Sequence, residues 1–148
     1  MSFLYIVATP IGNLEDITLR AKRILGEVNL IAAEDTRTTR KLTSRYDIET
    51  QLTSFNEHNQ SKKLPFLLKK LSEGHDIALV SDAGTPLISD PGYDLVVSAI
   101  ESGFDVIPIP GASAVTTSII ASGIAVQEFT YLGFLPRNPN ARRKLLRV

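Results

Sequence analysis

Residues 81–92 read SDAGTPLISDPG, and these twelve positions hold two Asp, two Gly and two Pro. Asp82 directly follows an apolar run, where its carboxylate can accept hydrogen bonds from ligand hydroxyl or ammonium groups. Gly84 and Gly92 allow close backbone approach or positive φ, while Pro86 and Pro91 stiffen the loop. A pair of stacked turns with Asx caps would use the same residues, but a long turn-rich loop inside a compact domain is usually functional. AEDTR (33–37) supplies the adjacent carboxylates Glu34 and Asp35. After it, Arg37, Arg40, Lys41 and Arg45 fall at i, i+3, i+4 and i+8, a basic stripe on one helix face suited to phosphates. The competing reading is a solvated surface helix. In PGASA (110–114), Gly111 permits close approach and the N–H groups of Ser113 and Ala114 open a helix, a ready anion site or a plain Ser cap. His58 in FNEHN and His75 in EGHD read as loop or surface-turn residues.

The elements that must position these loops follow from the apolar pattern. Buried strands are expected at 3–8, 30–33, 50–55, 77–81 and 105–110, with a last strand at 129–134. Between them lie helical periods. The first places Ile17, Ala21, Ile24, Leu25 and Val28 on one face, with Glu15 and Asp16 at its positive N-terminal end. A later helix has Leu64, Leu67, Leu68 and Leu71 on one face and Pro65 near its first turn. Further helices are expected from about Tyr93 to Gly103 and over GASAVTTSIIASG. Alternation of this kind predicts an α/β fold, a mostly parallel sheet of five to six strands with helices on both faces. The loops at the strand C-terminal ends then share one rim, where ligands bind in such sheets.

Composition bounds the chemistry. The chain has 148 residues and 16 Lys+Arg against 16 Asp+Glu. Zero net charge argues against bulk capture of nucleic acid and leaves local patches open. Without cysteine there is no disulfide, thiolate nucleophile or Cys-ligated zinc. No His/Asp/Glu grouping has metal-ligand spacing, so no metal is expected. Neither G-x-G-x-x-G nor a Walker A motif occurs, and no Ser sits in a nucleophile elbow. The N-terminus lacks a signal-peptide pattern, and no apolar run approaches a membrane span. These features predict a cytoplasmic protein. The end, RNPNARRKLLRV, is basic and breaks off within a helical pattern. It reads as a linker over 135–148 leading from a domain at 1–134 to a second domain.

LYIVATPIGNLEDIT, AEDTR, SFNEHN, SDAGTPLISDPG, PIPGASA and GFLPR stand in this order between Phe3 and Arg137. Together they resemble the tetrapyrrole methylase-like group of S-adenosylmethionine (SAM) methyltransferases. Within it they resemble the N-terminal half of the small-subunit ribosomal RNA enzymes. The resemblance implies two α/β domains with SAM folded in the cleft between them, a homodimer, and methylation of a cytidine ribose 2′-hydroxyl in small-subunit rRNA. It assigns SAM contacts to the first loop (Pro10, Ile11 and Gly12), to Asp82 and Thr85, and to Ser113 and Ala114. The first loop departs from the glycine-rich form of the wider group. A ribose hydroxyl needs help to lose its proton near neutral pH, and Glu34 or Asp35 is expected to take it. Arg37, Arg40 and Lys41 are expected to meet rRNA phosphates. The rivals are a tetrapyrrole methyltransferase, a magnesium-dependent phosphoryl-transfer domain using Asp82 and Asp90, and a non-catalytic interaction module.

Overall fold

The computed structural model describes residues 2–147. Five strands are present: β1 (Phe3–Val7), β2 (Leu30–Ala33), β3 (Leu52–Ser54), β4 (Ile77–Val80) and β5 (Asp105–Ile109). They form one sheet in the order β3-β2-β4-β1-β5, with every pairing parallel. The helices are α1 (Leu19–Glu27), α2 (Thr36–Arg45), α3 (Gln60–Ser72), α4 (Tyr93–Glu101), α5 (Ala114–Ala121) and α6 (Pro139–Leu145). A 3₁₀ turn covers Leu14–Asp16. The chain divides into two compact units, one up to Ala114 and one from Val115 on.

Strand alternation sorts the core onto two faces. Leu4, Ile6, Leu30, Ala32, Ile77 and Leu79 face one way and pack with Leu67 and Leu71 of α3 and Leu95 and Ala99 of α4. Val7, Ile31, Ala33, Ala78 and Val80 face the other way and pack with Ala21, Ile24 and Leu25 of α1 and Leu42 of α2. Leu67 and Leu71 are 0% and 1% exposed, and burying each contributes about 2 kcal/mol. Because both faces are covered, β2 and β4 are buried at every residue, which is why they read as continuous apolar runs.

This winding makes β4 the switch point. Its neighbours β1 and β2 lead to α1 and α2 on one face, whereas β4 leads to α4 on the other. Chains leaving adjacent strands toward opposite faces open a crevice at the strand ends. The loop at 81–92 grows from that point.

Four local expectations are corrected. Residues 129–134 form no strand: a strand needs a neighbour for its N–H and C=O groups, and the sheet closes with five. Glu15 and Asp16 lie in the 3₁₀ turn, not in α1, because the Thr18 side chain accepts the Ala21 N–H and starts α1 later. Ile17 and Val28 therefore flank α1, though both still pack against its core face. Pro65 sits inside α3, beyond its first turn. Asn59 holds Ser54 and the Asn56 N–H, so the helix begins already at Gln60. Helix α5 starts at Ala114, three residues after Gly111. In the second unit, Asn138 caps α6 by accepting the N–H groups of Asn140 and Ala141.

Candidate active site at the carboxyl end of the sheet

Three loops converge beside the end of β4. Thr9 and Gly84 exchange both backbone hydrogen bonds, Thr9 N to Gly84 O at 2.9 Å and Gly84 N to Thr9 O at 3.0 Å. The buried Thr9 hydroxyl also donates to the Ser81 carbonyl. The Thr85 hydroxyl donates to the Ala112 carbonyl at 3.3 Å. Gly84 lies at the junction with φ +80°, and a Cβ there would stand 3.3 Å from Ile11 Cγ2. Among the expected cofactor residues, Thr85 is thus bonded to Ala112, the residue before Ser113, and Ile11 stands against Gly84, while Thr9, which precedes the first loop, is bonded to the loop at 81–92. Pro10 is buried, Ile11 half-buried and Gly12 exposed.

A second link joins β4 to β2. The Glu34 carboxylate accepts the Asp82 N–H at 3.1 Å, and the Asp82 carboxylate accepts the Asp35 N–H at 3.2 Å. Glu34 is half-buried and Asp82 exposed. Burial holds the Glu34 carboxyl above its ordinary value, and the nearby charges of Asp82, Asp90 and Glu57 add to the rise. Asp35 differs. Its carboxylate caps α2 by accepting the Arg37 N–H, and it also takes a bidentate pair from the Arg37 guanidinium at 2.6–3.1 Å. These bonds hold it down to about 2. The two neighbouring carboxylates therefore have different chemistry: Glu34 binds a proton more readily than usual, Asp35 far less.

The two Asp residues of the loop differ in setting. Burial raises the Asp90 carboxyl, and the nearby Asp82 charge adds to the rise. The buried Ser81 hydroxyl donates within the loop to the Ala83 carbonyl at 3.4 Å. Leu87 and Ser89 adopt positive φ, 75° and 67°, a strained geometry for non-glycine residues that clusters at functional sites. Gly92 has φ 127°, and a Cβ there would stand 2.6 Å from Leu79 Cδ2. Leu87 packs against the same core and anchors the loop.

On α2, Thr36, Arg37, Arg40, Lys41 and Ser44 line a shallow depression of about 450 Å³. Arg40 and Lys41 have no acidic partner among the described residues, whereas Arg37 is engaged by Asp35. His58 is exposed, and its backbone N–H donates to the Asn56 side chain. Among the described residues no group of three His, Cys, Asp or Glu could hold a metal, and no helix is long and apolar enough to cross a membrane. The Glu34–Asp82 link escaped the sequence because its partners are 48 residues apart.

The sequence profile described as "Tetrapyrrole (Corrin/Porphyrin) Methylases" matches residues 3–148. The chain is 59% identical over 143 residues to "Ribosomal RNA small subunit methyltransferase I" of Halalkalibacterium halodurans, covering 97% of this chain and 50% of that protein. It is 52% identical to the protein of that name from Thermotoga maritima, covering 98% of this chain and 65% of the relative. The Haemophilus influenzae protein of that name is also 52% identical, with 97% and 50% covered. This chain thus spans about half the length of most of these relatives. Among solved structures, a uroporphyrin-III-C-methyltransferase of Thermus thermophilus shares the fold, with TM-score 0.64, 18% identity, and 86% of this chain and 55% of that one covered. With the profile spanning nearly every residue, the chain belongs to the tetrapyrrole (corrin/porphyrin) methylase family.

Proposed function

We propose that this chain is the N-terminal, cofactor-binding part of a SAM-dependent methyltransferase whose substrate is the ribose 2′-hydroxyl of a cytidine in small-subunit rRNA. The identity with proteins named for that RNA favours it over a tetrapyrrole substrate. The observation that carries the reading is the carboxylate cluster on the β4 rim, where the Glu34 carboxylate accepts the Asp82 N–H and the Asp82 carboxylate accepts the Asp35 N–H, with the Asp82 and Asp90 charges acting on Glu34. Such a cluster suits a cationic ligand, and SAM carries a sulfonium and an ammonium.

When bound, SAM supplies an electrophilic methyl on its sulfonium. The rim residues Pro10, Ile11 and Gly12, with Thr85, Ser113 and Ala114, would hold the cofactor, and Asp82 would offset its positive charge. Gly84 lets the first loop close against the loop at 81–92. We assign the proton to Glu34. The Glu34 carboxylate, held through Oε2 by the Asp82 N–H, would take the ribose hydroxyl proton as that oxygen accepts the methyl the cofactor would supply. Asp35, held by Arg37, is the weaker base and orients α2. Arg40 and Lys41, with Arg37, meet the RNA phosphates. In this reading the enzyme works in the cytoplasm beside its ribosomal substrate, as a homodimer and without a metal ion.

The test is calorimetric titration of SAM into the chain in EDTA, beside Asp82→Ala, followed by transfer of labelled methyl to unmodified small-subunit rRNA by an enzyme containing this chain. Saturable binding that Asp82→Ala weakens tenfold or more, and label on ribose, are the expected results. A chain that ignores SAM, or label appearing only on a tetrapyrrole, would overturn the reading.

A further inference from the structure

The basic charge of this neutral protein is not spread evenly. Helices α2 and α3 carry four basic residues each, eight of the sixteen in the chain, and none of the sixteen acidic ones. They pack on opposite faces of the sheet but flank the same edge strand. Leu52 of β3 packs on the α2 side, while Thr53 accepts a 3.0 Å hydrogen bond from Lys63 of α3. On the α3 side, Thr53, Lys63, Phe66, Lys70 and His75 are among the residues lining a half-open cavity of about 410 Å³. Phe66 is 41% exposed, with the Lys63 ammonium 5.3 Å from its ring centroid. Glu73 pairs with Lys69 and Lys70. Lys62 and Lys63 have no acidic partner among the described residues.

Concentrating like charge on one surface costs free energy through self-repulsion, and a polyanion removes that cost by releasing its counterions. A half-exposed aromatic face between lysines is the setting in which an unstacked base is held. We propose that α3 and the β3 edge form a second RNA-contacting surface, continuous in charge with the α2 stripe. The RNA backbone would thus run across the sheet edge and be gripped away from the reacting ribose. This rests on the reading of rRNA as substrate, and it adds Lys62, Lys63 and Phe66 to the contacts.

Binding of transcribed small-subunit rRNA to the chain tests it, measured across a salt series for the wild type, Lys62→Gln/Lys63→Gln and Lys62→Arg/Lys63→Arg. Each lost phosphate contact flattens the log–log salt slope by roughly 0.7–0.9. The Gln pair should therefore flatten it by about 1.5 and weaken binding about tenfold or more, and the Arg pair should restore both. SAM titration should be the same for all three, which also verifies folding. Equal rRNA affinity and slope for the Gln pair, while Arg40→Gln/Lys41→Gln weakens binding, would overturn this surface and leave the rRNA reading standing. A wild-type chain that binds SAM but no rRNA would overturn both. Weakening on intact small subunits without weakening on naked rRNA would identify a ribosomal protein as the occupant and overturn the proposal.

Discussion

The Glu34 carboxylate accepts the N–H of Asp82, and the Asp82 carboxylate returns the bond to the N–H of Asp35, the next residue after Glu34. The two bonds tie the ends of adjacent parallel strands into a clasp. Only one Glu34 oxygen, Oε2, is used in it. The other has no hydrogen-bond partner among the described residues, so the clasp fixes the carboxyl group without exhausting it.

Glu34→Gln separates these two duties. The Gln carbonyl can still accept the Asp82 N–H, but the amide cannot take a proton. Methyl transfer by an enzyme containing this chain should fall by about 10²–10⁴, with SAM affinity nearly unchanged. Because burial raises the Glu34 pKa above 4.5, wild-type kcat/KM should climb with pH through that raised value as the basic form appears. The variant's residual activity should lack this limb. Asp35→Asn, with a residue that also caps helices well, should keep most of the rate. Full activity in Glu34→Gln would move the base elsewhere.

The same two carboxylates set opposite dependences of stability on pH. Asp35 falls from an ordinary 3.8 to about 2 in the fold. The stability it contributes is present above 3.8 and is lost as pH drops toward 2. Glu34 is raised from 4.5. The folded state therefore binds more protons than the unfolded state just above pH 4.5, and stability from this group declines as pH rises through that window. Urea midpoints of Glu34→Gln should gain on the wild type between pH 4.5 and neutrality. Those of Asp35→Asn should fall behind the wild type between pH 2 and 4. Parallel midpoint curves for the wild type and both variants would contradict the electrostatic account.

The architecture was legible because both sheet faces are covered: LIAA and IALV can be continuous apolar runs only if buried on each side. Loops at strand ends then had to share a rim. What stayed hidden depended on long-range partners or backbone geometry. FTYLGF has strand composition but no strand beside it in the sheet. Pro65 looked like a helix opener until the Asn56–Asn59 bonds moved the start to Gln60. Positive φ at Leu87 and Ser89 had no signal, since neither residue favours it. Within the site, residue types located Glu34, Asp35 and Asp82. The split between the two neighbouring carboxylates needed the position of the Arg37 side chain, which the sequence does not give.

Two glycine-to-alanine changes test the loop anchor against a plain helix position. At Gly92, φ is 127°, and the new Cβ would meet Leu79 Cδ2 at 2.6 Å and Leu87 Cδ2 at 3.2 Å. Leu79 is 1% exposed, so it has little room to retreat, and moving Leu87 loosens the loop it anchors. Backbone strain and overpacking of this kind cost about 1–3 kcal/mol each, and SAM affinity should fall with stability. Gly26 lies within α1, and a Cβ there would meet nothing within 4 Å. Alanine at that position removes backbone freedom from the unfolded chain and should stabilise by about 0.5–1 kcal/mol, with SAM affinity unchanged. Chemical denaturation and SAM titration of both variants measure this. If Gly92→Ala retained wild-type stability and cofactor affinity, the loop would not depend on the Leu79–Leu87 contact, and its strained residues would need another cause.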